Sequence, residues 1–227
     1  NKMIVIGNLK MYMTYEDVLN YVKKIDSDVV LCPTALFVPY FLNHKFAVGV
    51  QNIATNELGA YTGEISARQA KGLGVTYAIV GHSERRIYQR ETDEEINAKV
   101  LQGLKNGLKV VLCIGEDKGE ERKQKLEYQL LNDLKGVDNF DNLIIAYEPI
   151  WCIGTGITPT NEEIEATIYF IQTILNKICK QSVKILYGGS VDKDNIKKLK
   201  NIENLSGFLI GKASTDCKQL TEIVDNL

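Results

Sequence analysis

Short apolar runs alternate along the chain with longer segments in which apolar residues recur at helical spacing. The runs are Met3–Gly7, Val29–Cys32, Phe46–Gln51, Tyr77–Val80, Lys109–Ile114, Leu143–Tyr147, Val183–Tyr187 and Gly207–Ile210. They are rich in Val and Ile and apolar throughout, as strands of a parallel sheet covered on both faces read. The segments between them carry helix signals. Thr92-Asp-Glu-Glu95 and Thr160-Asn-Glu-Glu163 have capping-box spacing, in which a Thr hydroxyl and a Glu carboxylate each satisfy an orphan backbone amide. Beyond the second box, Ile164, Ile168, Ile171, Leu175 and Ile178 form a stripe at helical spacing, with Glu162, Glu163, Glu165 and Lys177 off it. Leu126–Leu134 and Leu220–Val224 read likewise, and Leu36–Leu42 reads as a short helix.

Strand followed by helix, eight times over and without a Pro/Gly/Ser-rich linker, predicts a single (β/α)8 barrel domain with eight parallel strands over 1–227. A doubly wound open sheet is the alternative that the same pattern allows. Composition narrows function more than fold. The 27 Lys and Arg are balanced by 29 Asp and Glu, for a formal charge of −2. A nucleic-acid-binding surface needs an excess of basic residues, so no nucleic acid is expected as a partner. No stretch approaches the roughly 18 consecutive apolar residues of a membrane span, so no membrane is expected either. The opening Asn-Lys-Met-Ile-Val-Ile-Gly-Asn has too short an apolar run for a secretory signal. Cys32, Cys113, Cys152, Cys179 and Cys217 are scattered, with no CxxC pair, and only His44 and His82 accompany them. Neither a disulfide framework nor a metal cluster is therefore expected, and the reducing cytoplasm is the compartment predicted.

A barrel gathers its chemistry at the carboxyl ends of its strands. There the sequence places Asn8 and Lys10 after the first strand, His82 and Glu84 after the fourth, and Glu148 after the sixth. Gly188-Gly189-Ser190 follows the seventh strand and Gly211-Lys212 the eighth. Ring closure would bring Lys10, His82 and Glu148 around one mouth. A carboxylate can take a proton from carbon while an imidazole and an ammonium stabilise the negative oxygen that develops beside it. The late glycines would let backbone N–H groups approach a phosphate; as tight βα turns they would need no ligand, a reading that carries weight at Gly188.

Asn8-Leu-Lys10, Gly63-Glu-Ile-Ser66, Ile79-Val-Gly-His-Ser-Glu-Arg-Arg86, Cys113-Ile-Gly-Glu116, Ala146-Tyr-Glu-Pro-Ile-Trp151, Ile153-Gly-Thr-Gly156, Tyr187-Gly-Gly-Ser-Val191 and Gly207-Phe-Leu-Ile-Gly211 strongly resemble the triosephosphate isomerase family, in the family's own order. The resemblance implies a TIM barrel that interconverts dihydroxyacetone phosphate and glyceraldehyde 3-phosphate through an enediolate, with no cofactor, in glycolysis and gluconeogenesis. It implies Glu148 as general base, His82 as electrophile, Lys10 as fixed cation and Asn8 as the residue orienting Lys10 and ligand. The pairing of a carboxylate base with a neutral imidazole is the known case of this family itself rather than a deduction from these residues. Glu84 would either pair with Lys10 or support proton transfer.

For the phosphate the resemblance points to Gly154, Ser190, Gly211 and the backbone N–H of Lys212, with Asn8 and Lys10 completing the substrate site. Pro149, Ile150, Trp151, Cys152, Ile153, Gly154, Thr155 and Gly156 resemble the family's mobile lid. A homodimer is implied: Gly59–Glu64, with Thr62 near its tip, resembles the loop that docks into a second subunit, and Glu64 with Arg85 resembles a supporting ion pair. Cys113 reads as a packing residue and His44 as surface. The sequence departs from the family's usual residues at Leu9 (Trp), Cys152 (Ala) and Lys212 (Gly). Two other functions compete. Another sugar-phosphate isomerase or epimerase would want metal ligands or a different acid/base pair. A non-catalytic phosphate-binding barrel would be expected to lack the base, the imidazole or the cation. A dinucleotide site is disfavoured, because Gly154-Thr-Gly156 is followed by Ile157-Thr158-Pro159 and lacks the third glycine of GxGxxG.

Overall fold

The structure is a computed structural model that describes residues 2–153, 155 and 157–227. Its strands are β1 (Ile4–Asn8), β2 (Val30–Cys32), β3 (Ala47–Val50), β4 (Tyr77–Val80), β5 (Lys109–Ile114), β6 (Leu143–Tyr147), β7 (Lys184–Tyr187) and β8 (Gly207–Ile210). They pair in chain order, all parallel, and β8 returns to β1 with Ile4 opposite Gly207 and Gly7 opposite Ile210. The sheet is closed, which decides for the barrel over the open sheet.

The unbroken apolar runs have a direct cause. Side chains of one strand alternate between two faces, and both faces are buried. Ile6, Val30, Cys32, Ile79, Val111, Cys113, Ile144, Ala146, Leu186 and Leu209 fill the barrel interior. Their neighbours, among them Val5, Leu31, Val80, Leu112, Ile145 and Phe208, pack outward against the helices. The interior is thus a packed core, and any ligand must sit at a mouth. Leu9 is fully buried in the outer core, so a leucine fills apolar volume at that position.

The outer layer is α1 (Tyr15–Lys24), α2 (Val38–Phe41), α3 (Ala67–Leu73), α4 (Ser83–Tyr88), α5 (Asp93–Lys105), α6 (Arg122–Asp133), α7 (Asn161–Ile178), α8 (Ile196–Leu199) and α9 (Cys217–Asp225). The predicted helix at Leu36–Leu42 divides into a 3-10 turn, Ala35–Phe37, and the single turn α2, with Pro39 where a missing N–H costs nothing. At Thr92 and Thr160 the hydroxyl accepts the amide of Glu95 and Glu163, at 3.2 and 3.1 Å. Only this half of the expected box forms. Complete boxes stand instead at Thr14 with Asp17 and Ser66 with Gln69.

A buried ionic cluster stiffens the end of the barrel where β4 and β5 emerge. The Arg86 guanidinium, on α4, donates to the carbonyls of Gly81 (2.7 Å) and Cys113 (2.8 Å), and to the carboxylates of Asp93 and Asp133, both at 2.9 Å. Asp133 is wholly buried, and Asp93 lies close enough to share its proton. Burial first, then the neighbouring Asp93, push the Asp133 carboxyl up to about 8, against the opposing pull of Arg86. Between the ordinary value of 3.8 and about 8, the folded protein holds a proton that the unfolded chain has released. The associated stability is present in full below that window and fades as pH rises through it. Asp133→Asn keeps a donor toward Asp93 and an acceptor for Arg86. Chemical denaturation at a series of pH values should therefore find a shallower loss of stability toward pH 8 in Asp133→Asn than in the parent; identical slopes would contradict the buried proton.

Candidate active site

The second residue after β1 is unusual in backbone as well as side chain. Lys10 has φ of +52°, a left-handed conformation that costs a non-glycine residue about 1–3 kcal/mol. Its surroundings hold it there. The buried Asn8 accepts the Lys10 backbone N–H at 3.1 Å, while the Lys10 carbonyl accepts from the Thr34 hydroxyl at 3.0 Å and the Gln51 amide at 2.9 Å. Gln51 also donates to the Cys32 carbonyl, so the ends of β1, β2 and β3 share one side chain. Lys10 Nζ then reaches Glu84 at 2.9 Å, the ion pair that was one of the two readings for Glu84.

His82 caps α4. Its Nδ1 accepts the backbone N–H of Glu84 at 3.2 Å, which leaves Nε2 to carry the ring's proton. That Nε2 lies 3.0 Å from Glu148 Oε2, and both side chains are buried. Burial disfavours the imidazolium, but the Glu148 carboxylate, helped by Glu84 and opposed by Lys10, outweighs it and holds the ring above its ordinary value of 6.5. The resemblance implies a neutral ring; in the free site the adjacent carboxylate works in the other direction.

The other oxygen of Glu148, Oε1, is buried without a hydrogen-bond partner. A buried carboxylate oxygen left unpaired is costly and calls for a functional reason. Room for the carboxylate comes from Gly188, where a Cβ would stand 2.5 Å from Glu148 Cγ. This close approach, rather than turn geometry, accounts for the glycine. At Gly189 a Cβ would overlap the Tyr187 hydroxyl. Cys113 lies fully buried in the barrel wall; burial and then Glu148 keep its thiol well above the ordinary range and hence protonated. The exposed His44 stacks on Phe46 at 5.1 Å, away from the site.

Asn8, Lys10, His82, Glu148, Ser190, Gly211 and Lys212 line a single hollow of about 310 Å³. Cys152 and Ile153, from the segment proposed as lid, line it as well. That segment begins at Pro149, which leads into a 3-10 turn, Ile150–Cys152. Trp151 donates its indole N–H to Glu116 at 2.9 Å, and Glu116 also accepts from Tyr147 at 2.8 Å and Arg122 at 2.9 Å. Further on, the Thr155 hydroxyl donates to the Cys152 carbonyl at 3.0 Å. Gly154 and Gly156 lie outside the described residues.

Thr62 and Glu64 are exposed on the loop after β3. The expected ion pair between Glu64 and Arg85 does not form within the chain. Arg85 pairs instead with Glu91, which also holds Lys99 at 2.7 Å. Glu91 is buried and has two cations to satisfy, so it outcompetes a solvated Glu64. The roles of Gln51, Glu91, Arg86 and Glu116 were missed in the sequence. The available signal was their type: a charge or amide at a strand's end, on a short helix or in the loop before a helix, that the pattern of apolar positions does not require.

This is the construction of a barrel enzyme that moves protons on a small anionic substrate: a dry carboxylate with one free oxygen, an imidazole with its donor fixed, and a clamped ammonium, all facing one hollow. The comparison with known proteins agrees. The sequence profile of the family described as triosephosphate isomerase matches residues 3–227. The chain is 42% identical to the triosephosphate isomerase of Mesomycoplasma hyorhinis over 233 residues, covering 94% of each chain. It is 39% identical to that of Clostridium botulinum (strain Loch Maree / Type A3), covering 98% of each, and 37% identical to that of Alkaliphilus oremlandii, covering 99% of each. The chain belongs to the triosephosphate isomerase family.

The charge argument at His82 is open to test. Glu148→Gln removes the carboxylate that most favours the imidazolium and leaves burial, the Glu84 backbone amide and Lys10 opposing it, with only the smaller influence of the Glu84 carboxylate in its favour. The His82 titration midpoint, followed by NMR of the ring nitrogens, should fall; an unmoved midpoint would mean that Glu148 does not set it.

Proposed function

We propose that the chain interconverts dihydroxyacetone phosphate and glyceraldehyde 3-phosphate without a cofactor, the whole of 1–227 acting as one barrel domain. The observation that carries this reading is that Glu148, a buried carboxylate with one unpaired oxygen, lines one hollow together with His82 and Lys10. Glu148 takes a proton from carbon 1 of the ketose. The C–H electrons become the carbon–carbon double bond, and the carbonyl electrons become the enediolate's charge on oxygen. His82 Nε2–H and the Lys10 ammonium face that charge, and the Nδ1 acceptor bond is what keeps Nε2 a donor. Transfer of the carbon-1 hydroxyl proton to the carbon-2 oxygen, with return of the Glu148 carboxyl proton to carbon 2, moves the carbonyl to carbon 1 and gives the aldose. As Glu148 turns to the substrate, the influence that raises the His82 pKa weakens, and the ring works as the neutral donor that the family resemblance implies.

Asn8 serves by fixing the Lys10 backbone, and Glu84 by steering its ammonium. Gly154, Ser190, Gly211 and the backbone N–H of Lys212 hold the phosphate. The lid from Pro149 to Gly156 excludes water, which would otherwise let the enediolate expel phosphate. The Glu116–Trp151 hydrogen bond ties down the lid's first turn.

The partner we assign is a second copy of the chain. A groove of about 370 Å³ beside Lys10 is lined by Met11, Gly63, Glu64, Arg85 and Tyr88. Met11 and Tyr88 are 89% and 75% exposed, and an apolar patch left open beside a catalytic lysine calls for a cover. The loop carrying Thr62 from the second copy is that cover, and it leaves Glu64 and Arg85 at the interface. The place of action is the cytoplasm, in glycolysis and gluconeogenesis; five free thiols suit a reducing compartment.

In a coupled assay with both triose phosphates, Glu148→Gln should lose at least about 10²–10⁴-fold in kcat, the usual worth of general-base catalysis, while still binding inorganic phosphate. Near-normal turnover by that variant would reject the assignment.

A further inference from the structure

Two ammonium groups stand on the wall of the hollow, and they differ in how their charge is met. The charge of Lys10 is offset by Glu84 at 2.9 Å. Lys212, the first residue of the 3-10 turn Lys212–Thr215 that follows β8, has no carboxylate within ion-pair distance among the described residues. Its Nζ instead lies 5.9 Å from the centroid of the Tyr12 ring, and Tyr12 lines the same hollow. Tyr12 comes from the segment after β1 and Lys212 from the segment after β8, and those strands are neighbours in the closed ring. An aromatic face holds a cation by its quadrupole without cancelling its charge, as a carboxylate would.

We propose that the Lys212 side chain, held at the rim by Tyr12, is a second anion-binding group for the substrate's phosphate. It attracts the dianion into the hollow and strengthens its binding, beyond what the Lys212 backbone N–H supplies. This deepens the isomerase reading and rests on it for the identity of the substrate. The residue is exposed, and Lys10 behind it is already paired with Glu84, so an approaching anion meets at Lys212 a charge that no carboxylate among the described residues offsets. Its contribution acts on the phosphate and not on the reacting carbons, and it is screened by salt.

The test uses the full chain with inorganic phosphate as the probe, and compares Lys212→Met with Lys212→Arg. Both keep the backbone N–H, and the position is exposed, so neither threatens folding. Calorimetry at low salt should find phosphate bound about three- to tenfold more weakly by Lys212→Met, as expected for one charge acting through partly solvated surroundings. Lys212→Arg should recover most of the loss. With glyceraldehyde 3-phosphate, Lys212→Met should lose more in kcat/KM than in kcat, and its kcat/KM should depend less on salt than the parent's. Equal phosphate affinity and equal salt dependence in Lys212→Met and the parent would overturn the proposal. So would an arginine variant as weak as the methionine one, since side-chain shape rather than charge would then be at work. The phosphate titration needs no turnover: an inactive parent that still shows the charge effect would sink the isomerase reading alone.

Discussion

A carboxylate removed from water needs partners already in place, and the mouth of this barrel is arranged around one that has been given only half of them. One oxygen of Glu148 faces His82 Nε2 at 3.0 Å, and the other is buried with no hydrogen-bond partner. Much of the surrounding structure keeps that arrangement dry and fixed. Gly188 gives up its side chain so that the carboxylate fits, and the neighbouring Cys113 thiol stays protonated. The Arg86 guanidinium bonds the carbonyls at the ends of β4 and β5, so the peptide preceding His82 has little freedom to drift. Preorganisation of this kind lets donors act on developing charge without first having to turn toward it.

The positive charges opposite Glu148 are organised on a different principle. Lys10 adopts a strained backbone, and Asn8, Thr34 and Gln51 hold it there, so its ammonium enters the hollow at a set place. Pairing with Glu84 limits how far that charge reaches. Lys212 is bound more loosely, over an aromatic ring, and its charge stays available at the rim. A half-buried, paired cation suits stabilisation of charge at the reacting atoms, whereas an exposed one with no carboxylate partner among the described residues suits capture. On the proposed reading, the hollow separates chemistry from recruitment along its depth.

The barrel was legible because eight apolar runs, unbroken over both faces, leave a parallel sheet few other homes. The choice between a closed ring and an open sheet was not, since it depends on β8 meeting β1 across the whole length of the chain. Lys10, His82 and Glu148 were legible from their positions at strand ends together with the family resemblance, and all three meet in one hollow. Pairings among charged side chains were less so. Arg85 chooses Glu91 over Glu64 because Glu91 is buried beside Lys99, a fact of packing that spacing does not encode. The reason for Gly188 was hidden likewise: the side chain that needs its space comes from the end of a different strand. The two threonine caps were found, yet the reciprocal glutamate bonds did not form, because Thr14 and Ser66 rather than Thr92 and Thr160 have partners that close both halves.

The central claim is that Glu148 carries a proton between neighbouring carbons, so the hydrogen spends time on a carboxyl group that can exchange with water. Conversion of dihydroxyacetone phosphate in deuterium oxide, with the product trapped by oxidation as it forms and read by NMR, tests this directly. The account predicts deuterium at carbon 2 of the product. A product that carries only the substrate's own hydrogen at that carbon, however long the reaction runs, would mean that hydrogen passes directly from carbon to carbon and that Glu148 is not its carrier.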